Sequence, residues 1–254
     1  MPWKSDRAGE LSADNVERLF RNEIPAIRVP GFASAAECAT LAFAAEQHGF
    51  TPYKNANPPI GHIGAARFEF QPDEKAGFRA ATAAAAQSLT SIYAVAFDPF
   101  ARLIEMLRHH AVGPIEVAHE EDVGNYAVGV FRRFENGSPV HIDFVPWEAR
   151  GWKISEVTGQ LTWNVYLTSP KEGATHIYDR AWEPADERLR LPGNYGYEDE
   201  VVKGARSYQV KPVSGELVMF NTRNFHQVLP APSVRMSFGT FLGRLPSGKL
   251  WFWS

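Results

Sequence analysis

Residues Gly215–Leu242 read GELVMFNTRNFHQVLPAPSVRMSFGTFL. Three short runs of strand-forming residues stand out, Glu216–Phe220, His226–Leu229 and Val234–Leu242, with Asn, Pro and Ser between them. In a strand, successive side chains point to opposite faces, so residues i and i+2 share a face. Val234–Leu242 shows this best. Arg235 and Ser237 fall on one face, and Val234, Met236, Phe238 and Thr240 on the other. Gly239 continues the polar face without a side chain, which predicts room for a ligand there.

Working upstream, the same period predicts strands over Ala127–Phe134, Val140–Val145, Gln160–Leu167, Thr175–Tyr178 and Ser207–Lys211. Asn136-Gly137 and Ser214-Gly215 are turn signals between strands. Many short strands with frequent turns predict a jelly roll or similar double-sheet barrel. Trp182–Arg206 is the longest strand-free stretch in this half, and long loops in compact domains commonly act as lids or binding loops.

Before residue 113 the pattern is helical, over Ser12–Asn22, Ser34–Gln47, Gly77–Val95 and Asp98–Val112, with a short strand at Ala26–Val29. Ser34 and Glu37 are spaced as a capping box. Asp98-Pro99 supplies an N-cap and a proline at the first helical position. His109 and His110 suit the negative end of that helix. The helices are expected to cover one sheet, giving an α+β fold. The expected organisation is one domain over 1–254: helical support and a substrate loop in 1–120, the barrel with its site in 121–245, and an aromatic tail in 246–254. Trp251-Phe252-Trp253 is expected to pack on the core or at a subunit contact.

Composition narrows the function. A net charge of −3 over 254 residues offers no basic field for nucleic acid or anionic lipid. No apolar run approaches the ~18 residues of a membrane span. Cys38 is the only cysteine, so no intramolecular disulfide forms. With no signal-like N-terminus, a cytoplasmic protein is expected.

His141-Ile142-Asp143 lies in a predicted strand, which turns both polar side chains to one face. His226 opens a later strand that can bring it to the same point. Two imidazoles and a carboxylate form the facial ligand set of non-haem iron(II), with positions left open for a co-substrate and oxygen. Eight histidines in the chain make a lone His-x-Asp a common accident; it is the strand context, the distal histidine and Arg235 together that point to a metal. A buried arginine needs a charge partner. Either an internal Asp or Glu supplies it, or the distal carboxylate of a dicarboxylic co-substrate does, with Ser237 assisting.

These residues resemble the iron(II)/2-oxoglutarate-dependent oxygenase superfamily, whose pattern is His-x-Asp, a distal His, then Arg-x-Ser on a double-stranded β-helix. The resemblance covers roughly residues 120–245. It extends to Ile27–Leu41 (IRVPGFASAAECATL), Leu161–Leu167 (LTWNVYL), Gly173–Asp179 (GATHIYD) and Gly215–His226 (GELVMFNTRNFH). It implies iron held by His141, Asp143 and His226, and the far carboxylate of 2-oxoglutarate held by Arg235 and Ser237. On the strand matching LTWNVYL it singles out Tyr166, with Asn164 and Thr162 on the same face, although these three also suit ordinary inward polar positions. The C-terminal pattern is similar to small-molecule-tailoring members, among them standalone aliphatic halogenases. Those carry Gly or Ala where this chain has Asp143, so the resemblance implies hydroxylation or another oxidation rather than halogenation. Members that demethylate nucleic acids have a second arginine six residues after the first, where Phe241 stands. The expected reaction consumes O2 and 2-oxoglutarate, releases succinate and CO2, and oxidises an unactivated C–H bond of a small molecule such as an amino acid derivative or natural-product intermediate. Ascorbate is expected to help the reaction in vitro.

Candidate substrate-lining residues are Phe144, Trp147, Glu148 and Trp152, just past the metal motif. Arg67 and His62 lie in the stretch Tyr53–Phe70, which resembles a loop able to close over the site. An ion pair is the structural alternative for Arg67, and ordinary packing for His62. Aromatic walls with one or two charges suit a small, partly apolar ligand. Two other readings are a cupin-like metal-dependent isomerase or lyase without 2-oxoglutarate, against which Arg235-x-Ser237 argues, and a non-catalytic barrel binding protein, against which the intact ligand set argues.

Overall fold

Helix starts follow the capping chemistry of the sequence. In the computed structural model, which describes residues 2–54 and 56–254, helix α1 (Ala13–Phe20) begins after Ser12, whose side chain accepts from Asn15 N. Helix α2 (Ala35–His48) carries the complete Ser34/Glu37 box. Helix α3 spans Lys75–Tyr93. Helix α4 (Pro99–His109) starts at Asp98, which accepts from Phe100 N and Ala101 N. Met1 and Asn55, the latter inside the stretch read as a loop, lie outside the described residues.

The strands are β1 (Ile27–Val29), β2 (Thr51–Pro52), β3 (Ile60–Ile63), β4 (Ile115–Val117), β5 (His119–Glu120), β6 (Gly124–Asn125) and β7 (Val130–Phe134). They continue with β8 (Gly159–Tyr166), β9 (Thr175–Ala181), β10 (Ser207–Val210), β11 (Leu217–Asn221), β12 (Asn224–Val228), β13 (Arg235–Arg244) and β14 (Leu250–Trp253). The main sheet runs β1-β11-β8-β13-β7-β3-β2, with β14 beside β13 and β4 beside β14. A smaller antiparallel sheet runs β10-β9-β12. All main-sheet pairings are antiparallel except β14 with β4.

Strand period decides which face each residue serves. Leu161, Trp163 and Val165 of β8, with Met236, Phe238 and Leu242 of β13, share one buried cluster with Leu19, Leu41, Leu89, Ile92, Leu103 and Leu107 of the helices. The Trp163 and Phe238 rings meet edge-on at 5.6 Å. Truncating a buried ring of this kind costs about 3–5 kcal/mol, so this face holds the helices to the sheet. The alternate residues, Thr162 and Asn164 of β8 and Arg235 and Ser237 of β13, line a cavity together with Thr175, His226 and Val228 of the smaller sheet. The result is a mixed α and β fold with a jelly-roll core of two facing antiparallel sheets.

Four expectations differ from the structure. Val140–Val145 is not a continuous strand: Val140 and His141 make single bridges to Tyr197 and His226, and a helical turn begins at Val145. Pro146 causes this, having no N–H for a ladder and a φ suited to the first helical turn. The stretch Tyr53–Phe70 contains β3, which extends the main sheet beyond β7. Within residues 246–254, Phe252 and Trp253 pack on the core as expected, but in a strand, β14, paired with Phe241–Arg244 of β13. The room expected at Gly239 is taken: a Cβ there would come within 2.1 Å of the Trp163 carbonyl oxygen and 2.6 Å of Asn164 Oδ1. No helix among the described residues is long and apolar enough to cross a membrane.

Candidate metal centre

His141 and His226 face each other across reciprocal backbone bonds, His141 N to His226 O and His226 N to His141 O, each 2.9 Å. Asp143 N donates to Thr222 O at 3.0 Å, which sets the next inward position. One ligand atom from each of His141, Asp143 and His226 lies within 4.8 Å of the others. His141 Nδ1 is 2.8 Å from Pro139 O, and His226 Nδ1 is 2.9 Å from Asn224 O. A carbonyl only accepts, so each Nδ1 carries the proton and each Nε2 keeps its lone pair for a metal.

The electrostatics fit the same ligand set. Burial, reinforced by the charge of His226, pushes the His141 imidazole down to about 4, so it is neutral at pH 7. Burial draws the Asp143 carboxyl upward, but its contact with His226 and the nearby positive charge of Arg132 outweigh it and hold the group below its ordinary value. His226 Nε2 stands 3.4 Å from Asp143 Oδ2. With Nδ1 of His226 turned to Asn224 O, its Nε2 and the Asp143 carboxylate are placed for one cation to lie between them. The donor set fits iron(II).

Arg235 is 3% exposed. Its guanidinium lies between the rings of Phe134 and Tyr166, at 4.8 and 5.0 Å. Nη2 donates to Thr175 Oγ1 at 2.9 Å, while Nε and Nη1 have no hydrogen-bond partner among the described residues. No carboxylate among those residues pairs with it either, so the internal ion pair considered from the sequence is not formed. A buried cation with two idle donors at the wall of a cavity of about 110 Å³ suits an anionic ligand such as the distal carboxylate of 2-oxoglutarate.

Thr162, Asn164 and Ser237 line this cavity with the metal set. Asn164 Nδ2 donates to Thr162 Oγ1, and Thr162 Oγ1 to Thr240 O, both at 3.2 Å. Tyr166 stands behind it: the ring supports Arg235 and the hydroxyl is 3.3 Å from Thr175 Oγ1. Among lining residues that sequence reasoning missed, Arg132, Tyr53, Thr175 and Tyr195 are polar. Arg132 was legible as the inward neighbour of Phe134 on its strand. Tyr195 sits in the stretch Trp182–Arg206 and meets His141 edge-on at 5.0 Å, a contact no local pattern announces.

A second cavity of about 730 Å³ opens on the other side of Asp143 and Tyr195, with Arg67, Trp147, Glu148, Trp152 and Arg190 in its walls. Arg67 is buried with no carboxylate partner among the described residues, and its guanidinium lies 5.9 Å from the Trp152 ring. Burial lowers its pKa. Glu148 accepts from Phe144 N at 2.8 Å and pairs with Arg190 at 3.4 Å. Burial, then the charge of Asp143, raise its carboxyl to about 7. The other two candidates lie elsewhere. Phe144 lines neither of these cavities and packs beside Trp182. His62 stacks on Tyr53 at 4.0 Å and pairs with Glu69, set back behind the wall.

Comparison with known proteins shows the family. Residues 7–254 match the family model described as carrier-protein-independent halogenase WelO5. The leucinostatins biosynthesis cluster protein S of Purpureocillium lilacinum is 31% identical over 198 residues, 74% of this chain and 81% of that protein. The L-gamma-glutamyl-L-propargylglycine hydroxylase of Streptantibioticus cattleyicolor is 35% identical over 131 residues, half of this chain and 48% of that protein. The crystal structure of an N-substituted L-amino acid dioxygenase from Burkholderia ambifaria superposes with a TM-score of 0.67 at 15% identity, over 95% of this chain and 91% of that one. The chain belongs to the WelO5 halogenase family, within the iron(II)/2-oxoglutarate-dependent oxygenases.

Proposed function

We propose that this protein hydroxylates an unactivated C–H bond of a carboxylate-bearing small molecule, such as an amino acid derivative or natural-product intermediate. The observation that carries the reading is Asp143, whose carboxylate completes a three-residue ligand set with His141 and His226 in a family named for halogenation. With iron bound, that carboxylate would serve as the third protein ligand of a 2-His-1-carboxylate set. The two facing sheets then correspond to the double-stranded β-helix of cupin-like proteins.

His141, Asp143 and His226 hold iron. Arg235 receives the far carboxylate of 2-oxoglutarate through its idle Nε and Nη1, with Ser237 beside it and Thr175 fixing Nη2. Thr162, Asn164 and Tyr166 are already engaged with one another's strands or with Thr175, so they shape and stiffen that pocket. When bound, iron supplies oxygen activation coupled to decarboxylation of 2-oxoglutarate to succinate. In the larger cavity, Arg67 takes the substrate carboxylate over the Trp152 ring, and Trp147 supplies an apolar wall. The sole thiol, Cys38, is buried, which suits a reducing cytoplasmic setting.

The test is anaerobic addition of 2-oxoglutarate to the iron(II)-loaded protein, followed by aerobic succinate release with ascorbate present and a panel of carboxylate metabolites. A visible charge-transfer band and panel-dependent succinate are expected. Iron binding without the band favours the isomerase or lyase alternative and overturns this function.

A further inference from the structure

Two neighbouring arginines of β7 have opposite fates. Arg133 points to the helix side and is paired with Glu46 at 3.0 Å and with Glu135. Arg132 points inward, lines the small metal cavity and makes no ion pair among the described residues. Its guanidinium has the Phe241 ring 6.0 Å away, and its charge is felt at His141, Asp143 and the Tyr53 hydroxyl. That hydroxyl is itself buried without a hydrogen-bond partner. Asp143 is the one carboxylate that shares this cavity with Arg132, and it forms no ion pair with it among the described residues, which leaves the guanidinium free to receive an anion.

The register says which anion. Arg235 stands opposite Phe134, and Arg132 stands opposite Ser237, so the two guanidiniums occupy adjacent strands one inward position apart. Two residues along a strand amount to roughly 7 Å. A five-carbon dicarboxylate built from bonds of about 1.5 Å has its carboxyl carbons roughly 5 Å apart, and hydrogen bonds at each end close the difference. Arg132 lines the small cavity with Arg235 and is absent from the walls of the larger one. Its anion therefore belongs to the co-substrate rather than to the substrate.

We infer that Arg132 is the second anchor of the co-substrate, binding the carboxylate of its 2-oxo-acid end beside the metal while Arg235 binds the far end. The inference rests on 2-oxoglutarate being the co-substrate.

The experiment compares 2-oxoglutarate with 2-oxopentanoate, which keeps the 2-oxo-acid end and lacks the far carboxylate. Binding to the iron(II)-loaded protein is measured anaerobically by calorimetry and by the charge-transfer band, after a separate iron titration shows the metal site intact. Arg132→Gln is expected to weaken both ligands by the same factor, roughly 10- to 100-fold for a charge-assisted hydrogen bond. Arg235→Gln should weaken 2-oxoglutarate alone. Arg132→Lys, which keeps the charge without the planar fork, should recover part of the loss, and it carries the test if the glutamine variant does not fold. Affinity for 2-oxoglutarate within two-fold of wild type in both Arg132 variants overturns the inference. Wild-type protein that binds iron but neither oxo acid would instead overturn the co-substrate reading.

Discussion

The two cavities that meet at Asp143 and Tyr195 are built from different material. The smaller is walled mainly by strands β7, β8 and β13 and by residues of the facing sheet, and its polar groups are fixed by ladder register. The larger draws its walls from segments between strands, around residues 67–72, 147–152 and 190–195. Walls of paired strands are held by the ladders, whereas loop walls can change length and residue without disturbing the sheet. The difference separates what the enzyme does from what it does it to.

Three experiments bear on that separation. The largest effect is expected from Asp143→Gly, because the residue bounds both cavities. Loss of partners that merely orient metal ligands costs 10- to 100-fold in affinity or activity, so losing a ligand should lower hydroxylation by more than about 100-fold. Retained hydroxylation would remove Asp143 from the ligand set. Next, Arg67→Gln is expected to raise KM for the substrate about 10- to 100-fold and leave the 2-oxoglutarate dissociation constant unchanged. Equal changes in both would show that the two cavities do not act separately.

The smallest effect concerns Glu148. Its carboxyl sits near 7 instead of 4.5, raised by burial and then by the charge of Asp143. Between those values the folded protein keeps a proton that the unfolded chain has lost, so this stabilisation is present in acid and lost as pH rises through 7. Metal-free Glu148→Gln should melt roughly 2–6 °C above wild type at pH 8, with the gap narrowing as pH falls towards 4.5. Iron should shrink the gap by neutralising Asp143. A gap independent of pH would mean that Glu148 titrates as an ordinary carboxylate.

How much of this was legible depended on how local the cause is. Arg235, Ser237, Thr162 and Asn164 could be placed because an i, i+2 rule assigns a strand's faces without knowing its partners. The facing histidines could be paired because each opens or lies in such a segment. Arg132 was open to the same rule, yet the eye passes over one of two adjacent arginines unless the sheet shows which is paired. Pro146 could have marked the helical turn at Val145, since proline punctuates locally. β14 was hidden because Leu250–Trp253 is apolar on both faces and shows no alternation. Arg67, Glu148 and Tyr195 converge from segments far apart in sequence, and no periodicity encodes that meeting.

The reciprocal bonds between His141 and His226 have an evolutionary consequence. They lock two of the three ligands through the backbone, and Asp143 is itself held to Thr222 by its amide. The Asp143 side chain faces the two cavities beside His141 and His226 and belongs to none of the hydrophobic clusters. Selection can therefore rewrite that one carboxylate without disturbing foldability. The backbone that holds the site and the side chain that sets its chemistry can therefore change separately.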